Sequence, residues 1–322
     1  MFKGRNCLVA GASGFLGGAL AKRLLNEGAV VRGTRLSKAP TFNHPQMTWE
    51  QADLRNPEEC QRVMAGIDYL FICAANTAGA KIIRETPMVH VTPNVLMNTQ
   101  LLEAAHAAGV KKALFISSGA AYPTLDGAPL EEGDMFKADP PDVYFHAGWM
   151  KRYAEILCRT YAEKLKNPMS GVVVRPSNVY GPGDKFDWDR SHVTAAQMRR
   201  VMERQAPIVV WGTGNDVRDL IYVDDFVTGT LAAFAVDDPF FCVNICSGQG
   251  HSVREIVETA IEVDGYRDAK VVFDASQPTT IAKRLFSADL ARNRLGFAAT
   301  TSLRDGMAQT MAWYHAHNKR PE

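Results

Sequence analysis

Long apolar runs are missing from this chain: none of its 322 residues fall in a stretch approaching the roughly 20 apolar residues that a bilayer-spanning helix needs. Net charge is missing too. With 36 Lys+Arg against 35 Asp+Glu the formal balance is +1, so no global field recruits nucleic acid or a membrane surface, and any anionic ligand has to be held by local groups. Cysteine is sparse and scattered. Cys7, Cys60, Cys73, Cys158, Cys242 and Cys246 are dispersed, and several lie inside apolar runs where they act as small hydrophobes. Cys242 and Cys246 fall in a predicted strand, where residues four apart share a face but stand too far apart to chelate, so no metal is expected. A reduced compartment fits this usage. The first residues, MFKGRNCLVAGASG, enter a strand at once and leave no room for a secretory signal, which predicts a cytoplasmic protein. Internal repeats and low-complexity tracts are absent as well.

What is present is ordinary material for a large α/β fold. Hydrophobic residues make up 46% and charged residues 22%, enough for a sizeable core, and the length favours one large domain with a second lobe. Short β-rich runs at 5–10, 29–33, 67–73, 111–117 and 171–175 alternate with amphipathic stretches such as FLGGALAKRLLNEG, in which Leu16, Leu20, Leu24 and Leu25 keep close to the helical period. This alternation predicts a Rossmann-like, doubly wound parallel sheet with helices on both faces. Residues 94–108 and 142–165 read as long helices. After Arg175, Gly and Pro punctuate the chain. The expected division is therefore a dinucleotide-binding domain over 1–175 and 219–246, and a smaller α/β substrate lobe over 176–218 and 247–322.

Gly11, Gly14 and Gly17 in GASGFLG follow a strand and open a helix. Glycines in that setting permit a tight turn and close approach of a pyrophosphate, whose charge the helix N-terminal N–H groups receive. After the second strand, an NAD-selective site would place an acidic residue on the ribose hydroxyls. Arg35 stands near there instead, and a guanidinium suits a 2′-phosphate, which favours NADP(H) over NAD(H). A solvated arginine is the alternative. Asp53 in QADLRN has two readings, as an acceptor for the adenine amino group or as the cap of the helix starting near Pro57.

The stretches GASGFLG, ADL, FICAAN, ISSGAAYP, GWMKRYAEI, RPSNVYGPGD and VRDLIYVDD come in an order that resembles the extended short-chain dehydrogenases/reductases acting on nucleotide sugars. Within that group AANTAGAKIIRETPMVHVTPNVLMN, YGPGDKFDWDRSHV and VVWGTGNDVRD are most similar to GDP-L-fucose synthases, NADPH-dependent 4-keto-sugar epimerase/reductases. The resemblance extends the cofactor site to Ser13, Phe15, Leu16, Leu54, Ala74, Ala75 and Lys151. It also implies a catalytic Ser or Thr, Tyr and Lys: the tyrosine exchanges a proton at the sugar C4 oxygen while the nicotinamide takes or gives hydride, and the lysine lowers the phenol pKa. Ser118 and Lys151 match, but the tyrosine position falls on Ala147. Tyr144 lies seven residues before Lys151 rather than four, which argues against it as the replacement. The expectation is a Tyr-to-Ala substitution that stops turnover, with natural divergence as the alternative.

His192 matches the histidine acid of epimerisation, yet the partner cysteine position holds Ala120, which puts inversion at both C3 and C5 in doubt. Gly119 and Ala120 replace the acidic pair of sugar 4,6-dehydratases. A 4-epimerase needs no such acids and is the runner-up. By the same resemblance Arg218 grips the diphosphate, with an ion pair to Asp219 or Asp224 as its rival role. Asn178 lies past a strand end where open sheets bind ligands, Trp211 lines the base pocket or the core, and Lys283 and Arg284 reach the nucleotide. The expected partners are a nucleotide-diphosphate sugar and a second copy of the chain, joined through the helices at 94–108 and 142–165 as in the resembling family. A dinucleotide-binding sensor that lost the chemistry is the reading from another class.

Overall fold

The computed structural model describes residues 1–77, 85–125, 129–188, 191–277, 279 and 281–318. Residues 78–84 and 189–190, which belong to two of the motifs quoted above, lie outside the described residues.

Seven strands form the main sheet: β1 (Asn6–Ala10), β2 (Val30–Arg35), β3 (Met47–Gln51), β4 (Tyr69–Ile72), β5 (Lys112–Ile116), β6 (Ser170–Pro176) and, later in the chain, β10 (Phe240–Ile245). They run parallel in the order β10-β6-β5-β4-β1-β2-β3. Their apolar runs are nearly continuous because both faces are covered, as a parallel sheet requires. On one face α1 (Phe15–Asn26) and α6 (Val223–Ala235) pack in a core with Leu20, Leu24, Phe226 and Phe234. On the other, α2 (Pro57–Met64), α3 (Met88–Ala107) and α4 (Phe145–Glu163) close a core with Val63, Leu101, Leu102 and Cys158.

The long helix expected from residue 94 begins six residues earlier, with Pro93 inside it. A proline there leaves the carbonyl four residues back without its helical donor. That carbonyl, Val89 O, accepts from Asn76 Nδ2 at 2.9 Å.

The smaller lobe contains β7 (Asn178–Tyr180), α5 (Val193–Met202), β8 (Ile208–Trp211), β9 (Val217–Tyr222), β11 (Gly250–Ser252), α7 (Val253–Asp264), β12 (Val271–Asp274), β13 (Lys283–Arg284), α8 (Asp289–Leu295) and α9 (Leu303–His317). β9 is central, pairing with β11, β13 and β7. Residues 219–222 therefore belong to the small sheet, not to the dinucleotide-binding domain, and the return to the main sheet starts with α6. The sequence hid this because DLIY is as apolar as a main-sheet strand. α8 also departs from the expected division, packing against α6 and β10.

Candidate active site

Four loops meet at the carboxyl ends of the parallel strands, the usual ligand crevice of such a sheet. Gly11, at φ +81, turns the chain out of β1, and a Cβ there would stand 2.7 Å from Ala74 Cα. A Cβ on Gly17 would stand 2.3 Å from Gly11 O, so only glycine lets α1 start this close to the strand. Gly14 caps α1 without a side chain, leaving Ser13, Phe15 and Leu16 at the helix mouth. Ala74 and Ala75 follow β4 across the same crevice.

Arg35 ends β2, and its Nε is buried without a partner, a guanidinium not committed to a carboxylate at that atom. Of the two readings of Asp53, the helix cap is not found. The helix cap is Asn56, whose Oδ1 accepts from Glu58 N at 2.9 Å, while Asp53 is paired with Arg55 Nη2 at 2.5 Å. Leu54 beside it is buried.

Ser118 stands just past β5 in extended backbone and caps a short 3-10 turn, accepting from Ala120 N at 3.1 Å. Lys151 lies on α4, one turn after Ala147. Its Nζ donates to Ile116 O at 2.8 Å and sits 4.6 Å from the Phe115 ring centre. Burial brings this ammonium down to about 8, against the pull of Glu155 and of Cys73. α4 is fixed in register by Gly148, where a Cβ would stand 2.6 Å from Pro140. Ala147 is half-buried, and no phenol stands at its position. Tyr144 forms the N-cap of the helix, close enough to Arg284 for their charges to interact.

A thiol does lie near Lys151. It is Cys73, but burial pushes it up to about 12, which unfits it as the base that Ala120 fails to supply. His192 caps α5 from an exposed position. The protein around it, and then the Lys185 ammonium, hold its imidazole below the usual histidine value. Lys185 in turn donates to Thr77 Oγ1, tying the loop after β7 to the loop after β4.

On the lobe side, Asn178 Nδ2 donates to Asp219 O at 3.0 Å. Trp211 is 58% exposed, so it is not a core tryptophan. Arg218 pairs with Asp216 at 3.3 Å and not with Asp219 or Asp224. Asp219 instead receives Ser247 N, Ser247 Oγ and Gly248 N. Lys283 is exposed on β13. Arg284 is drawn inward, its Nη1 donating to Gly119 O at 3.0 Å and Tyr122 O at 3.2 Å, so it holds the serine turn where a nucleotide contact was expected. Gly11 thus meets Ala74, and Lys151 reaches the end of β5 just before Ser118, all at the carboxyl edge of the sheet. A lone Lys-Arg pair in the sequence shows no sign of which member turns inward.

The family model described as "NAD dependent epimerase/dehydratase family" matches residues 7–246. GDP-L-fucose synthase 1 of Arabidopsis thaliana is 28% identical over 97% of this chain and 94% of its own length. GDP-mannose 3,5-epimerase 1 of Oryza sativa subsp. japonica is 29% identical over 95% of this chain and 80% of its own. Among solved structures, UDP-glucose 4-epimerase of Thermotoga maritima with UDP-glucose superposes with a TM-score of 0.87, at 26% identity, over 97% of this chain and 99% of that one.

Proposed function

Since the chain belongs to the NAD dependent epimerase/dehydratase family and is a nucleotide-sugar epimerase/reductase of the short-chain type, we propose that it reduces a nucleotide-diphosphate 4-keto-6-deoxy sugar at C4 with NADPH. Epimerisation through His192 accompanies the reduction or is absent, and the step is disabled at Ala147. The observation that supports this reading is that Ser118 follows the end of β5 while Lys151 Nζ donates to Ile116 O, the last residue of that strand, so that both stand at the carboxyl edge of the sheet. Hydride comes from the nicotinamide. This chain's residues orient the sugar oxygen at Ser118, place a positive charge at Lys151 and grip the diphosphate at Arg218. The GDP base rests on the named relatives. A second reading, an NAD-dependent 4-epimerase, is favoured by the fold likeness to UDP-glucose 4-epimerase, and tightly retained NAD would support it.

Calorimetric titration tests the proposal. The chain should bind a GDP-hexose in the presence of NADP+. Binding of NADP(H) without affinity for any nucleotide-diphosphate sugar would make it a sensor instead. For the cofactor, Arg35→Ala should weaken NADPH about 10- to 100-fold, the loss of one charge-assisted contact, and leave NADH within a few-fold. Equal losses for both would show that Arg35 does not read the 2′-phosphate.

We also propose a homodimer through α3 and α4. Val89 and Leu96 on α3, and Trp149, Tyr153 and Ile156 on α4, are all 40–54% exposed, and the helices lie side by side. Large apolar side chains at helical spacing on neighbouring helices make a face that favours burial against a like face. Sedimentation should give a dimer, and Ile156→Glu with Trp149→Glu should give a monomer; an unmodified chain that sediments as a monomer at micromolar concentration refutes this. We propose a cytoplasmic location, with which the six free cysteines are consistent. Among the described residues no helix is long and apolar enough to cross a membrane.

A further inference from the structure

Behind the crevice lies a buried polar cluster that none of the roles above employs. Glu155, one turn beyond Lys151 on α4, is 3% exposed. Its Oε1 accepts from Ser117 Oγ, in the residue that precedes Ser118. Arg175 on β6 reaches the same carboxylate through Nε at 3.1 and 3.2 Å and through Nη2 at 2.6 Å. Arg175 Nη1 then donates to Tyr122 Oη at 3.0 Å and to Glu132 O at 2.8 Å, and Tyr122 Oη donates to Asn244 Oδ1 on β10 at 2.6 Å. One carboxylate therefore ties α4, both ends of the turn carrying Ser118, and the two strands beyond β5.

Charge burial on this scale needs a reason beyond stability, because a buried ion pair seldom outdoes apolar residues of like size. The neighbours supply one. Lys151 Nζ rests on a carbonyl and an aromatic ring, and the groups whose charges reach it are Glu155 and the Cys73 thiol. The groups facing Glu155 in turn are Arg175 on β6, Arg152 and Cys158 on its own helix, and Cys242 on β10. Cys73 is held as a neutral thiol by burial, which leaves Glu155 as the anion that steadies the Lys151 ammonium.

We propose that Glu155 is a positioning residue: through Ser117 it seats Ser118, and through its charge it keeps Lys151 protonated. This rests on the assignment of Ser118 and Lys151 to the catalytic set, which the binding titration above tests separately. Lysines labelled with 13C at Cε report the protonation of Lys151 directly in the unmodified chain, with Lys151→Arg identifying the resonance. The midpoint should lie at about 8, fall by about one pH unit in Glu155→Gln and return in Glu155→Asp. If Glu155→Gln does not fold, Arg175→Gln is read in its place, and the midpoint should rise as Glu155 loses its compensating cation. A midpoint that stays put in a folded variant overturns the proposal, whatever becomes of stability.

Discussion

Replacing Ala147 with tyrosine is expected to raise C4 reduction by about 10²- to 10⁴-fold, the usual contribution of a positioned proton-transfer group. Position 147 is one turn before Lys151 on α4, so a side chain there shares the face of the ammonium. Gly148 already fixes the register against Pro140, and position 147 is half-buried. In the reductive direction the phenol gives its proton to the C4 oxygen as hydride arrives, and the Lys151 charge stabilises the phenolate left behind. Ala147→Phe supplies the ring without the hydroxyl and should give no gain, which separates proton transfer from packing. NADPH oxidation with a GDP-4-keto-6-deoxy-hexose follows the rate. If the tyrosine variant turned over no faster than the unmodified chain, the gap at 147 would be native and the proton would travel by another group.

The parts of this site that were legible in the sequence are those written in local pattern. The glycine loop shows itself by spacing within seven residues, and Lys151 by its neighbours in GWMK. The parallel sheet shows itself by alternation of apolar strands with 3.6-period helices. Contacts between distant residues leave no such pattern. The pairing of Asp53 with Arg55 is not announced by their spacing of two. The inward turn of Arg284 depends on the carbonyls of Gly119 and Tyr122, more than 160 positions earlier. Helix α3 starts before a proline only because Asn76, on another loop, takes the carbonyl that the proline cannot serve. Glu155 reads as an ordinary helix glutamate until Arg175 and Ser117 are folded onto it.

That last pair governs the largest expected loss of stability. Arg175→Met should lower the unfolding free energy by about 3–5 kcal/mol, the cost of leaving one member of a buried pair uncompensated. Both side chains are at most 5% exposed, so water cannot replace the missing cation at the Glu155 carboxylate. The loss spreads further, because Tyr122 Oη and Glu132 O also lose a donor. Urea unfolding followed by tryptophan fluorescence measures it, with the cofactor absent so that binding does not mask the change. The double variant Arg175→Met with Glu155→Leu should recover most of the loss, since well-packed apolar residues of like volume often match a buried ion pair. Recovery of stability without recovery of the Lys151 midpoint would separate what the pair does for the fold from what it does for the site. A single variant that unfolds within about 1 kcal/mol of the unmodified chain would show that the pair contributes little to the fold.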